Sequence, residues 1–327
     1  MSATNLKKRP EIVVTDGYTL NPGDLSWRKL ESLGHVEIFD HTSPSEALQR
    51  FAPASILVVN KTGVDAQLLA QLPNLECICV SATGYNNVDI HAAKKRGIPV
   101  CNAVGYGSES VAQHVFALLL ALQNRVHAYQ NSVVAGDWAR SRDFCYYLHS
   151  TRELSGKTMG IYGFGRIGQK VARIAQAFGM QVLACHKHPE RDAMPGVRFE
   201  NLETLFAQSD VISLHAPLGP ENEGIVNKHL LSLMKSDAFL INTGRGGLIV
   251  ESELRECLLH KSIGGAALDV LSKEPPPADH PLIGLENCLI TPHIAWASIE
   301  ARERLMEITV DNVQAFLSGT PQNVVNN

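Results

Sequence analysis

Short apolar runs rich in β-branched residues alternate with amphipathic stretches along the first hundred residues of the chain. Each run predicts a strand, and the stretches between them, residues 65–72 and 89–96 for instance, have the apolar spacing of helices. Because strands that alternate with helices pair in parallel, this region predicts a doubly wound α/β sheet. Its five predicted strands cover residues 11–15, 35–39, 55–59, 77–81 and 99–101.

A second α/β series begins at Lys157, after a long apolar helix predicted at residues 108–124 and a polar, aromatic stretch at 138–149 predicted as a loop. Six strands separated by helical segments are typical of a Rossmann dinucleotide-binding domain. A last helix is predicted at residues 299–317, beyond this sheet, and we expect it to pack back on the first domain. The six strands cover residues 158–162, 181–185, 211–214, 239–242, 266–270 and 289–290.

A glycine motif stands between the first of these six strands and a helix predicted at residues 166–178. In a dinucleotide-binding loop the first glycine permits a tight turn, the second lets the backbone approach a pyrophosphate, and the third allows close packing of helix and strand. The helix N-terminus adds free N–H groups and partial positive charge. Glycines in the turn of a non-binding protein are the alternative, but the position between strand and helix favours dinucleotide binding. The predicted contacts are Gly163, Gly165, Arg166, Ile167 and Gly168.

The end of the second strand in this series bears on the choice of cofactor. NAD-binding loops carry an acidic residue about 20 positions past the glycines, where it binds the ribose 2′-hydroxyl. His186 occupies that place, and Lys187 and His188 follow it. Two cationic or titratable side chains without an acidic one favour a 2′-phosphate, so we expect NADP rather than NAD. A solvated basic turn is the alternative.

Three chemically active residues follow strand ends that a parallel sheet brings to one edge: Arg245, Glu274 and His293. An arginine can fork onto a substrate carboxylate or polarise a carbonyl. A histidine can give a proton to a carbonyl oxygen while hydride arrives at its carbon, and a glutamate on the other ring nitrogen fixes the tautomer. Each residue alone has a plain alternative, as a surface arginine, an exposed loop glutamate or a capping histidine. Their shared edge favours catalysis on a keto or hydroxy acid.

Composition limits the remaining possibilities. The 327 residues are 45% apolar and carry a net charge of −4, which suits about two soluble domains and argues against nucleic acid as a partner. The seven cysteines form no CxxC pair, so we expect a reducing compartment. There is no secretory pattern near the start and no apolar run long enough for a membrane, so we expect a cytoplasmic protein. The histidines show no metal-binding spacing, and the proposed chemistry needs no metal.

Four motifs in order along the chain resemble the D-isomer-specific 2-hydroxyacid dehydrogenases. They are the glycine loop at 163–168, Asn242-Thr243-Gly244-Arg245-Gly246, Ala267-Leu268-Asp269-Val270 with Glu274-Pro275, and Thr291-Pro292-His293-Ile294-Ala295. The resemblance implies that Arg245, Glu274 and His293 are the catalytic set and that Asp269 lies at the nicotinamide end of the cofactor. It also implies further cofactor contacts at Ala216, Pro217, Asn222, Thr243 and Gly244.

Other segments, including 82–89, 110–114 and 293–298, are similar to the glycerate dehydrogenase (hydroxypyruvate reductase) branch of that family. The branch implies reduction of hydroxypyruvate to D-glycerate or of glyoxylate to glycolate. It also implies that backbone N–H groups of Thr83 and Gly84 hold the substrate carboxylate, and that Trp296 walls the pocket unless it is a core tryptophan. His186 departs from the branch, where an acidic residue is common.

The same resemblance implies a Rossmann domain, residues 103–293, inserted in a flavodoxin-like substrate domain formed by residues 1–102 and 294–327. It implies a homodimer joined through the dinucleotide-binding domain. Two alternatives stay open. One is an NAD(P)-sensing regulator like the corepressors of this fold, although those are longer, and the other is a reductase for a different 2-keto acid.

Overall fold

A computed structural model describes residues 9–327, and the chain divides into two compact units. Unit 1 is formed by residues up to Gly107 together with Ala297–Asn327, and unit 2 is Ser108–Trp296. Each unit is built on a parallel sheet with helices beside it, so the predicted fold class is confirmed.

Unit 1 has a five-stranded sheet in the order β2-β1-β3-β4-β5, with every pair parallel. The order reverses between β1 and β3. Strands β3 and β4 are buried along their whole length, as expected for a sheet covered on both faces. The strands are β1 (Glu11–Val14), β2 (His35–Ile38), β3 (Ile56–Val59), β4 (Cys77–Val80) and β5 (Val100–Cys101). The helices are α1 (Arg28–Glu31), α2 (Pro44–Phe51), α3 (Ala66–Ala70), α4 (Ile90–Lys95) and α12 (Ile299–Leu317).

The C-terminal part of the chain completes unit 1. Helix α12 packs against β4, which confirms that the last helix returns to the first sheet. Beyond it, Val324 forms an antiparallel bridge with Cys101, and the backbone N–H of Val325 donates to the Val100 carbonyl at 2.8 Å. The side chain of Asn326 accepts from Val100 N at 2.9 Å and donates to the Ile98 carbonyl at 2.8 Å. This segment therefore covers the open edge of β5.

Unit 2 has a seven-stranded parallel sheet in the order β12-β11-β10-β9-β6-β7-β8, which reverses between β6 and β9. Its apolar core lies on both faces of the sheet. The strands are β6 (Thr158–Tyr162), β7 (Gln181–Cys185), β8 (Val197–Phe199), β9 (Val211–Leu214), β10 (Phe239–Asn242), β11 (Gly265–Leu268) and β12 (Cys288–Ile290). The helices are α5 (Ser108–Asn124), α6 (Val126–Val134), α7 (Asp137–Arg140), α8 (Arg166–Ala177), α9 (Leu202–Gln208), α10 (Lys228–Leu233) and α11 (Glu251–Leu259).

Two details of unit 2 differ from the expectation. The six predicted strands are present, but a seventh, β8, pairs with β7 at the edge of the sheet. It has only three residues, and Arg198 in its middle is exposed, so its apolar pattern is too short to register. The predicted loop at 138–149 begins inside the short helix α7. No helix in the described part of the chain is long and apolar enough to cross a membrane.

Candidate active site

The glycine loop has the geometry that each of its glycines predicts. Gly163 has φ +93°, and a Cβ there would lie 2.3 Å from the backbone nitrogen of Ala216. A Cβ on Gly168 would lie 2.3 Å from the Gly163 carbonyl oxygen, so only glycine lets α8 pack this close to β6. A Cβ on Gly165 would meet nothing within 4 Å. Packing within the protein therefore does not require a glycine at position 165. The free space beside Gly165 is suited to a bound ligand.

Two buried polar atoms lie at the ends of the neighbouring strands β9 and β10. Among the described residues, His215 Nδ1 and Thr243 Oγ1 are the buried side-chain polar atoms without a hydrogen-bond partner. The other ring nitrogen of His215 lies 2.8 Å from Ser213 Oγ, and burial lowers the pKa of the imidazole to about 3. Buried polar groups normally have partners, so these two fit a ligand placed beside the glycine loop. Arg166 and Ile167 begin α8, whose N-terminus faces that side.

The loop after β9 holds Ala216, Pro217 and Asn222 together. Asn222 Nδ2 donates to the Pro217 carbonyl at 2.9 Å, and Asn222 Oδ1 accepts from Gly219 N at 2.7 Å. Ala216 is buried, and its backbone lies so close to Gly163 that no side chain fits between them. The carboxamide of Asn222 is thus used to shape the loop. Gly244 N similarly donates to Asn242 Oδ1 at 3.0 Å, which fixes the turn after β10.

The residues after β7 form charged pairs that the sequence pattern did not reveal. His186 Nδ1 accepts from Phe164 N at 3.2 Å, and His186 Nε2 lies 2.7 Å from the carboxylate of Asp192. Arg191 donates to the same carboxylate at 2.6 Å, and these two partners lower the pKa of Asp192 to about 2. Lys187 Nζ lies 2.8 Å from Glu221 Oε1.

A carboxylate therefore stands beside His186 after all, supplied from six positions further along the chain. The two cations of this turn, Lys187 and Arg191, each have an acidic partner. The ring of His188 packs edge-on against the ring of His186. The acidic residue Asp192, in the polar turn after His188, is the sequence feature that could indicate this contact. The sequence alone does not show that the turn folds back onto His186.

Glu274 and His293 meet directly. His293 Nδ1 lies 2.6 Å from Glu274 Oε2, and about a third of each side chain is exposed. The other oxygen, Glu274 Oε1, accepts from Leu271 N at 3.0 Å, which anchors the carboxylate to its own loop. With Nδ1 bound to a carboxylate, Nε2 is the ring atom left for proton transfer.

A buried carboxylate fixes the backbone that carries His293. Asp269, 1% exposed, accepts from Thr291 Oγ1 at 2.7 Å and from the backbone N–H groups of Ile294 and Ala295, both at 2.9 Å. The N–H of His293 donates to the Asp269 carbonyl at 2.9 Å. These bonds hold His293 at φ +55°, in the left-handed region that non-glycine residues seldom adopt. Asp269 thus positions His293, a role that its expected cofactor contact did not suggest.

Arg245 lies on the loop after β10, next to the loop that carries Glu274. A Cβ on Gly246 would lie 1.9 Å from the backbone of Leu271, so the two loops touch through their main chains. The Arg245 side chain is exposed, and its Nη1 donates to the Gly244 carbonyl at 2.8 Å. The structure thus places Arg245 on the loop beside that of Glu274, with an exposed side chain.

The residues expected at the substrate lie in different units. Thr83 and Gly84 follow β4 in unit 1, where Thr83 Oγ1 donates to the Ala103 carbonyl and the Thr83 carbonyl accepts from Asn102 Nδ2, both at 2.8 Å. Trp296 is the last residue of unit 2 and is half-buried. Thr83 and Gly84 share the carboxyl edge of their sheet, as Arg245, Glu274 and His293 share theirs.

Within residues 9–327, one group of three or more potential metal ligands lies close together: Cys77, Cys79 and Cys101. It belongs to unit 1 and includes none of the predicted site residues.

Comparisons with known proteins identify the family of the chain. The model of the D-isomer specific 2-hydroxyacid dehydrogenase NAD binding domain matches residues 116–295. A hydroxypyruvate reductase of Blautia hydrogenotrophica is 47% identical over 321 residues, which cover 97% of this chain and 99% of that protein.

Two solved structures carry bound cofactors. An acyclic imino acid reductase in complex with NADPH and D-Arg is 35% identical, with a TM-score of 0.84 over 96% of this chain and 99% of that one. A D-lactate dehydrogenase from Aquifex aeolicus, complexed with NAD and lactic acid, is 30% identical, with a TM-score of 0.81 over 94% and 96% of the two chains.

The matched domain covers more than half of this chain, and the hydroxypyruvate reductase matches nearly all of it. The glycine loop and the two unpartnered polar atoms fit a nicotinamide dinucleotide as cofactor. The resemblance found in the four motifs is therefore confirmed: the chain belongs to the D-isomer-specific 2-hydroxyacid dehydrogenase family, oxidoreductases that interconvert 2-keto and 2-hydroxy acids.

Proposed function

We propose that this protein reduces hydroxypyruvate to D-glycerate, or glyoxylate to glycolate, with NADPH. The observation that carries the proposal is the His293–Glu274 pair, 2.6 Å apart, at the sheet edge that also bears the glycine loop. The hydroxypyruvate reductase similarity supports the substrate class. A small unphosphorylated acid suits the absence of a cluster of basic residues in the N-terminal loops of the sequence.

The roles of the three catalytic residues follow from their chemistry. The bound cofactor supplies the hydride through its nicotinamide ring. Arg245 binds the substrate carboxylate and orients the neighbouring carbonyl. His293 holds a proton at Nε2 and gives it to the carbonyl oxygen, while Glu274 keeps Nδ1 occupied and stabilises the imidazolium. Asp269 holds the loop that positions His293.

The family resemblance also supports roles in cofactor and substrate binding. Unit 2, Ser108–Trp296, holds the dinucleotide through Gly163, Gly165, Gly168 and the strand-end residues. By the family resemblance, the backbone N–H groups of Thr83 and Gly84 bind the substrate carboxylate. Thr83 donates its hydroxyl to the Ala103 carbonyl, so that loop already has a fixed shape. Trp296 limits the length of acid that fits.

The preference for NADPH rests on the turn after β7. His186 stands where NAD-binding loops carry an acid, and Lys187 and Arg191 add cations at the same turn. When NADPH binds, its 2′-phosphate replaces Glu221 as the partner of Lys187 and Asp192 as the partner of Arg191. The exchange is favourable because a doubly charged phosphate is a stronger acceptor than a carboxylate. The negative charges of Glu221 and Asp192 reduce the gain from this exchange. We therefore expect a preference for NADPH over NADH with activity retained with both.

The test is steady-state reduction of hydroxypyruvate, glyoxylate and pyruvate with each cofactor. We expect turnover with the first two acids and a higher kcat/KM with NADPH than with NADH. A higher kcat/KM with NADH would overturn the cofactor assignment alone. Tight dinucleotide binding without turnover of any acid would instead favour an NAD(P)-sensing regulator of the same fold.

We also propose a homodimer joined through unit 2. An apolar surface on the segment from α6 to the loop after α7 supports it: Val134, Trp138, Phe144 and Tyr147 are each more than half exposed. Exposed apolar patches of this kind mark contact surfaces. Light scattering on the purified chain should give the mass of two chains, and Phe144→Ser with Tyr147→Ser should shift it towards one. A monomeric wild-type chain would contradict the proposal.

A further inference from the structure

Three thiols converge inside the sheet of unit 1. Cys77 and Cys79 lie on one face of β4 because side chains alternate along a strand, and Cys101 on β5 is the register partner of Cys79. The sulfur atoms of Cys77 and Cys79 are 3.9 Å apart, and all three sulfurs lie within 4.8 Å of one another. All three are fully buried and free of disulfide bonds.

The spacing of the sulfurs matches metal–thiolate bonding. A triangle with sides of 3.9 to 4.8 Å has its centre about 2.3 to 2.8 Å from each corner, and a zinc–thiolate bond is about 2.3 Å long. An ion at the centre therefore lies at bonding distance after small side-chain adjustments. Full burial of the ligands is normal for a closed structural site, which is loaded as the fold forms.

The donor set selects the kind of ion. Thiolates are soft ligands that prefer Cu(I) and zinc over hard cations. Closed structural zinc sites take four ligands, and in the described residues no histidine or carboxylate joins these three thiols. Three sulfur donors suffice for Cu(I). A bound cation also offsets the charge of thiolates in an apolar interior, which is otherwise costly.

We propose that Cys77, Cys79 and Cys101 form a three-coordinate site for the soft monovalent cation Cu(I). The site lies on the opposite face of β4 from Ile78 and Val80, which belong to the core of unit 1. Helix α12 packs against β4, and residues 324–326 pair along β5. A bound metal therefore stabilises β4 and β5 together with the C-terminal segment that packs on them.

The test counts copper on the full chain under anaerobic, reducing conditions. Cu(I) is supplied as its acetonitrile complex, both to the native protein and during refolding, and the sample is then challenged with excess bicinchoninate. We expect about one Cu(I) per chain to be retained, and X-ray absorption to show sulfur neighbours at about 2.3 Å. Cys101→Ala should weaken retention at least about tenfold.

Cys288→Ala is the matched control, because Cys288 is a strand cysteine outside the cluster. It should retain copper as the wild-type chain does, and Cys77→Ser replaces Cys101→Ala if that variant does not fold. Equal retention by the cluster variants and the control would overturn the site. So would a wild-type chain that retains no Cu(I) after either loading route. Equal retention of Zn²⁺ under matched competition would overturn the choice of Cu(I).

Discussion

The two sheets differ at the point where their strand order reverses: a side chain fills this point in unit 1, and it is open in unit 2. In unit 1 that point lies between β1 and β3, and the carboxylate of Asp16 fills it. Asp16 is buried and accepts from Asn60 N and Thr62 N, both at 2.8 Å, and from Lys61 N. The backbone N–H groups that could bind a ligand are thus already occupied by the protein.

In unit 2 the same point lies between β6 and β9, and it is left open. Gly163 brings the β6 loop against Ala216, Gly165 leaves free space, and His215 Nδ1 has no partner. Open α/β sheets bind ligands at this point of reversal. Topology therefore offers two equivalent positions, and side chains decide which one is left for a ligand.

The largest expected effect is on catalysis at the open edge. His293→Ala removes the proton donor, and general acid–base catalysis is worth roughly 10²- to 10⁴-fold, so kcat should fall by that amount. Glu274→Gln, which keeps the shape but removes the charge beside Nδ1, should lower kcat less. Steady-state kinetics with hydroxypyruvate measures both. His229→Gln, at an exposed histidine paired with Glu203, is the control and should keep full kcat.

The filled edge predicts a loss of stability instead. Asp16→Ala leaves three backbone N–H groups without their acceptor, and we expect it to lower the free energy of unfolding by about 2–4 kcal/mol. Urea denaturation measures the loss. Asp40→Asn, at an exposed carboxylate of the same unit, should change it by less than about 0.5 kcal/mol. If the two variants were equally stable, Asp16 would not be the structural equivalent of a bound ligand.

Gly165 separates ligand binding from folding. Because a Cβ there meets nothing within 4 Å, Gly165→Ala should change the free energy of unfolding by less than about 0.5 kcal/mol. The same methyl group occupies space left for the pyrophosphate, so the NADPH Kd should rise about tenfold, or about 1.4 kcal/mol. Fluorescence titration and denaturation on one preparation measure both. Gly63→Ala, equally uncrowded but in unit 1, should change neither.

The buried imidazole of His215 predicts a pH effect on stability. Its pKa is about 3 in the fold against 6.5 unfolded, so below pH 6.5 the unfolded chain takes up a proton that the folded chain does not. The contribution of neutral His215 to the free energy of unfolding is therefore fully present above pH 6.5. It is lost progressively as the pH falls towards 3. Wild-type stability should therefore fall faster than that of His215→Gln, by up to about 1.4 kcal/mol per pH unit. His260→Gln, at an exposed histidine, should follow the wild-type curve.

Much of the open edge was predictable because it depends on local chain order. A strand, a glycine loop and a helix follow one another at residues 158–177, and the catalytic residues follow strand ends that a parallel sheet aligns. The sequence pattern was therefore sufficient to bring Glu274 and His293 to one edge, and the structure shows them in contact.

The rest depends on loops that fold back over many residues. Asp192 reaches His186 across a turn without periodicity, and Asp269 binds backbone groups 25 and 26 positions further along the chain. Strand β8 is too short to show an alternating pattern. Such contacts follow from tertiary packing, which neither apolar periodicity nor motif spacing encodes.

Hydride transfer to the keto carbon can be followed directly with an isotope. NADPH that carries deuterium at the transferred position of the nicotinamide is incubated with the chain and hydroxypyruvate, and the product is examined by NMR. We expect deuterium at C2 of glycerate in the wild-type reaction and only a trace with His293→Ala. Glycerate that carries no deuterium at C2, or equal labelling by the two chains, would contradict the proposed reaction.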